Sequence, residues 1–178
     1  AIKNSGKEKE MREDIQNAIA DFIAGIQIPT EKVVLPENLQ EQIAYLATFC
    51  VRARSGVIRE GYSTREIELI PETELPTRLA KQLITLALAI SLVDRQPPET
   101  NYELIWKIGM DSVPQKRRRT LEILMTSGTM LETAEVGIKL GYPTNTTRRV
   151  LEDLHGLKLV DRKHEGQGHA DKWQLSGY

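Results

Sequence analysis

Pro114-Gln115-Lys116-Arg117-Arg118-Arg119 opens the stretch that decides the reading of this chain, and Pro143-Thr144-Asn145-Thr146-Thr147-Arg148-Arg149-Val150-Leu151 is its centre. Between 114 and 178, three short helical patterns precede two strand-like runs. Pro114–Ser127 carries Leu121, Leu124 and Met125 inward at helical spacing. Leu131–Leu140 reads as a second short helix, stopped by Gly141. Pro143–Leu157 reads as a third, with Thr147, Val150, Leu151 and Leu154 on one face, expected to pack on Leu121, Leu124, Ile138 and Leu140. Leu159–Glu165 and Ala170–Leu175 then flank Gly166-Gln167-Gly168-His169, whose glycines permit a tight turn.

Helix, helix, helix and hairpin in this length is the order of a winged helix-turn-helix. That fold sets its third helix against a partner, most often in the DNA major groove. The packing face leaves Thr144, Asn145, Thr146, Arg148, Arg149 and Glu152 pointing outward. Asn and Arg read adenine and guanine edges through paired hydrogen bonds. Thr144, which is also placed to cap the helix, and Thr146 suit phosphate contacts, because backbone N–H groups at a helix N-terminus already favour anions. The competing reading makes Arg148 and Arg149 a solvated face paired with Glu152 or Asp153 at helical spacing. In the hairpin, Arg162, Lys163, His169 and Lys172 are the candidate backbone contacts, with His164 beside them, and Trp173 alternates inward to seal the core. Lys158 occupies the helix-to-strand corner where this fold often has glycine. Lys116–Arg119 either touches phosphate or solvates the junction with what precedes it.

Net charge is -1, but the signs are unevenly spread. From Pro114 onward there are 11 Lys/Arg against 8 Asp/Glu, while the residues before it hold 13 against 17. The C-terminal third is therefore the better polyanion surface. With 178 residues, 40% hydrophobic and 28% charged, the chain fits an ordinary globular protein of one large or two small domains. The longest apolar run, Leu83–Val93, is too short to span a membrane, and the start has no secretory pattern. A single cysteine, Cys50, excludes an internal disulfide and a cysteine zinc site. A cytoplasmic location is expected. The two histidines near the turn lack metal-ligating partners, so no metal is expected.

Upstream, Lys7–Gly25 is an amphipathic helical pattern with Met11, Ile15, Ile19, Phe22 and Ile26 recurring. A helix from Pro36 to about Arg54 buries Leu39, Ile43, Leu46, Cys50 and Val51. Ser55–Pro71 reads as a short hairpin or extended insertion. Pro76-Thr77-Arg78 opens an apolar helix through Ala89 or Leu92, Pro97-Pro98 breaks the chain, and Tyr102–Met110 is a last helix. The fold class is therefore mainly α: a helical unit over 1–112, then a winged helix-turn-helix with a small β-hairpin wing over 113–178. The joint Asp111–Pro114 is short, which implies docked units.

The order of landmarks in the first unit carries a resemblance. A helix ending Phe49-Cys50-Val51-Arg52-Ala53-Arg54 is followed, after the insertion, by Leu75-Pro76-Thr77-Arg78-Leu79-Ala80-Lys81-Gln82-Leu83-Ile84-Thr85-Leu86-Ala87. This resembles the helical lid of an AAA+ ATPase, most closely that of MCM-type replicative helicases, in which a winged helix also follows the lid. The resemblance implies that Arg78 is the sensor-two arginine that reaches the ATP γ-phosphate, and that ATP and Mg²⁺ are held by an ATPase core elsewhere. It also implies a parent that assembles as a ring. Two features depart from the family: no G-x-x-x-x-G-K-[ST] loop occurs, and the Ser55–Pro71 insertion is longer than the usual connection. The chain begins at Ala1, which fits a processed chain or a piece of a longer one. No catalytic constellation is present. The expectation is a DNA-binding, non-catalytic lid and tail of an MCM-like ATPase, with DNA and the parent core as partners. The alternatives are a free-standing winged-helix transcription regulator, with 1–112 as a dimerisation or sensing domain, and a winged-helix protein-interaction module.

Overall fold

The computed structural model describes residues 6–30, 33–61, 65–164, 166 and 170–177. His169, with part of the expected turn around it, lies outside them, as do Tyr62 and Ser63 of the insertion. The chain is mainly helical: α1 (Glu8–Ala24), α2 (Glu37–Arg54), α3 (Thr77–Asp94), α4 (Tyr102–Asp111), α5 (Gln115–Ser127), α6 (Thr133–Leu140) and α7 (Thr144–Gly156). The strands are short: β1 (Ile58–Arg59), β2 (Ile67–Leu69), β3 (Leu131–Glu132), β4 (Val160–Lys163) and β5 (Lys172–Leu175). A 3-10 turn, Pro98–Asn101, leads into α4.

Four of these helices begin directly after a proline. The carbonyls of Pro36, Pro76, Pro114 and Pro143 accept from the N–H groups of Gln40, Ala80, Arg118 and Thr147 at 2.9–3.0 Å. Proline suits this place because its missing N–H would have no helical partner there. Thr144 is thus the first helical residue, Pro143 holds the N-cap position and no side chain caps this helix, so the capping expected of Thr144 is not made. Helix α6 is started differently, by a capping box in which the Glu132 N–H donates to Glu135 Oε2 at 2.7 Å. Gly128 and Gly141 end α5 and α6 with left-handed φ of 63° and 70°.

Helices α2, α3 and α4 pack together around Leu39, Ile43, Leu46, Leu83 and Ile105. Gly109 lets α4 approach α2: a Cβ there would lie 3.1 Å from Leu46 Cδ2. Helices α5, α6 and α7 bury Leu121, Leu124, Val136, Leu140, Val150, Leu151 and Leu154. Gly137 plays the matching part between α6 and α7, where a Cβ would come within 3.1–3.2 Å of Tyr142 O and Thr147 Oγ1. A three-stranded antiparallel sheet, ordered β3–β5–β4, closes this end. Trp173 is fully buried on β5 and its Nε1–H donates to Thr133 Oγ1 at 2.9 Å. Val113, in the joint between α4 and α5, is buried within the same apolar cluster.

Several expectations need correction. Leu131 and Glu132 form a strand paired with Trp173 and Lys172 and are not helical. Ile138 is 81% exposed and Met125 is also exposed, so neither joins the core. On α6, Val136 and Leu140 point inward; Ile138 sits about 200° around the helix from Val136 at 3.6 residues per turn. Helix α1 buries no residue, so its apolar stripe lies outside the bundle into which 1–112 was expected to fold.

Candidate nucleic-acid interface

Helix α7 is held by four buried side chains, Thr147, Val150, Leu151 and Leu154. Helical spacing then turns Thr144, Asn145, Arg148 and Arg149 to the solvent, while Thr146 is half-buried. The acids one turn beyond the arginines do not pair with them. Arg59, from the insertion, donates to Asp153 Oδ1 at 2.7 and 2.9 Å and to Glu152 Oε2 at 3.1 Å. Its guanidinium also donates to the carbonyls of Arg149 and Arg65 at 2.9 and 2.7 Å. Arg117 of α5 takes the other oxygen, Asp153 Oδ2, at 3.2 Å. Glu152 and Asp153 are therefore internal anchors, and Glu152 is not the free outward group its helical position implied. The guanidinium groups of Arg148 and Arg149 have no carboxylate partner among the described residues.

The insertion is a small antiparallel pair, β1 with β2, seated on α7 by apolar as well as ionic contacts. Gly156 marks the seat: a Cβ there would meet Ile70 Cδ1 at 2.7 Å and Ile67 Cδ1 at 3.3 Å. An open groove of about 340 Å³ runs between this hairpin and the outward face of α7. Its walls include Arg59, Arg65, Asn145, Arg148, Arg149 and Glu152. Asn145, Arg148 and Arg149 thus come together, and Arg59 and Arg65 join them without having been singled out by the sequence. The available signal was Gly156, the last residue of α7.

The basic run on α5 is mostly structural. Besides Asp153, Arg117 donates to the carbonyls of Ser55 at 2.6 Å and Ala53 at 3.1 Å. Arg118 pairs with Asp111 and, more loosely, Glu122. Lys116 and Arg119 lie over the Tyr142 ring, 5.7 and 5.9 Å from its centroid.

On the β4–β5 pair, Arg162 donates to Asp171 Oδ2 at 2.7 Å and lies 5.5 Å from the Trp173 ring centroid. His164 Nδ1 shares Asp171 Oδ1 at 2.8 Å. Burial pushes the Asp171 carboxyl up, but the hydrogen bonds and charge of Arg162 and His164 outweigh it and hold the group below the usual carboxylate range. Arg162 is therefore engaged within the hairpin. Lys163 and Lys172 face each other across the register, the first exposed and the second half-buried. Lys158, at the corner between α7 and β4, adopts left-handed backbone with φ 59°.

Elsewhere, Arg78 is exposed on the first turn of α3. Cys50 is buried against Met110, Sγ to Sδ 4.0 Å, and desolvation raises its thiol to about 11 despite the nearby Arg54 charge. A thiol so protonated is a poor nucleophile at neutral pH. No helix among the described residues is long and apolar enough to cross a membrane, and no group of three or more His, Cys, Asp or Glu placed to hold a metal ion occurs among them. No known protein family, curated protein or solved structure matches this chain.

Proposed function

We propose that this chain is a DNA-binding region in which α5, α6 and α7 with the β4–β5 hairpin act as a winged helix-turn-helix and α7 is the recognition helix. One observation carries the reading: α7 offers Asn145, Arg148 and Arg149 outward while its own acids are consumed by Arg59 and Arg117. A protein that used this face only as a solvated surface would gain from pairing each arginine with the acid four residues on. Leaving both guanidinium groups open suits a polyanion. Within this reading, α2, α3 and α4 form the lid of an MCM-like AAA+ ATPase, Arg78 supplies charge to a nucleotide held by the rest of the parent, and this region performs no chemistry itself.

The test is duplex binding against salt. Affinity is expected to fall linearly on a log–log plot with about 0.9 of slope per phosphate engaged. Arg148→Ala with Arg149→Ala is expected to lower that slope by roughly 2. The melting temperature should stay within about a degree, because substitutions at exposed sites that lack partners change stability little. Absence of binding to any duplex at low salt would select the protein-interaction module instead.

A second reading, the free-standing regulator with a dimerising N-terminal part, is favoured by α1. Met11, Ile15, Ile19, Phe22 and Ile23 are all exposed on a helix that buries nothing. Such a face is characteristic of an interface. Sedimentation should then give a dimer that Ile15→Asp dissociates; a monomer at micromolar concentration rules that reading out.

A further inference from the structure

We propose that the β1–β2 hairpin is a second wing. In this arrangement one phosphodiester strand of a duplex lies in the groove between the hairpin and α7, gripped by Arg65 from one wall and by Arg148 and Arg149 from the other. The inference rests on the reading of α7 as a recognition helix, and adds a wall, a residue and a limit to it.

Three observations carry it. The first is the charge of the groove. Arg65, Arg148 and Arg149 line it, exposed and without a carboxylate partner among the described residues. Glu152 and its neighbour Asp153 would otherwise repel phosphate here. The Arg59 and Arg117 guanidinium groups neutralise both at 2.7–3.2 Å. Glu66 adds one carboxylate to the hairpin wall, so a net positive charge remains.

The second is the fixing of the hairpin. Arg59 ties β1 to four residues: it donates to the carboxylates of Glu152 and Asp153, to the Arg149 carbonyl on α7, and to the Arg65 carbonyl within its own hairpin. Ile67 and Ile70 close over Gly156 on the same helix. A wall anchored by charge-assisted bonds and apolar packing holds Arg65 at a set distance from Arg148 and Arg149. Binding then orders less of the protein, and this preorganisation favours affinity.

The third is what the hairpin covers. It occupies α7 at Glu152, Asp153 and Gly156, so on the face beside the hairpin the open residues are those of the first two turns, Thr144 to Arg149. N-terminal residues are the ones a recognition helix uses on base edges. The covered half stops the helix from entering further, and the strand that flanks the entry point is the one beside Arg65.

The experiment uses the full chain, a 20-bp duplex and a salt series. Arg65→Ala is expected to lower the log–log slope by about 0.9 with an unchanged melting temperature, and Arg65→Lys to restore it. Lys81→Ala, an exposed cation on α3, serves as the control and is expected to leave the slope alone. Gly156→Leu, which drives Ile67 and Ile70 off their seat without removing a charge, is expected to lower the slope at least as far as Arg65→Ala, because it also loosens Arg59 from Glu152 and Asp153. If Arg65→Ala behaves as Lys81→Ala while the Arg148 and Arg149 substitutions still weaken binding, the second wing is refuted and the reading of α7 stands. If the unaltered chain binds no duplex at low salt, both fall together.

Discussion

At the scale of single residues, three non-glycine residues among those described stand out for left-handed backbone: Arg65, Arg95 and Lys158, with φ of 55–59°. Non-glycine residues reach this region at a cost, because Cβ crowds the following carbonyl. At Lys158 the strain is held by the corner itself: its N–H donates to His155 O, and the next N–H, of Leu159, donates to Leu154 O, both at 2.9 Å. The side chain is exposed, so a glycine there loses little packing. Lys158→Gly is expected to stabilise the protein by about 0.5–1 kcal/mol, the relief of strain exceeding the added entropy of the unfolded chain. Calorimetry should read this as a rise of a few degrees in melting temperature; a fall means that the lysine stem covers apolar surface that matters more than its φ.

Among the elements, the β4–β5 hairpin depends on a carboxylate. Asp171 holds Arg162 and His164 together, and its folded pKa lies below the usual value. A depressed carboxylate contributes stability that is complete above its unfolded pKa, about 3.9, and is lost as pH falls through the folded value. Hairpin order is thus expected to be constant from pH 7 to about 5 and to weaken below about 4, followed by the Trp173 fluorescence that reports on this sheet. Asp171→Asn should flatten that acid transition. The helices needed less: proline starts and glycine ends are local signals, which is why most of their bounds were readable to within a residue or two. The two-residue strand β3 was not readable, because so short a segment carries no periodicity, and its pairing with Trp173 spans 42 positions.

The molecule as a whole turns on Arg59. It joins the insertion to α7 across 94 positions and leaves Arg148 and Arg149 unpaired by taking their acids. Arg59→Ala is expected to cost about 1–3 kcal/mol by denaturant titration, since two partly buried carboxylates lose charge-assisted donors. Binding to duplex should weaken in parallel, as the freed acids turn to the neighbouring arginines. Unchanged stability would mean that water replaces the guanidinium without loss. Nothing in the chain announced this role. A lone arginine in a short strand has no local pattern, and its partners are visible only once the helices have packed. The candidate face of α7 was legible for the opposite reason: four apolar positions at helical spacing define an inside, and so an outside, without reference to anything distant.

Sequence alone therefore determined where the helices run, which face of α7 turns outward and which third of the chain is basic. Each follows from steric or periodic rules acting within a few residues. Tertiary structure alone decided that the insertion seats on α7, that Glu152 and Asp153 are anchors, that Arg162 is held within its hairpin and that α1 buries nothing. Those outcomes depend on distances of a few ångströms between residues far apart in the chain, and such distances are set by how the packed faces meet.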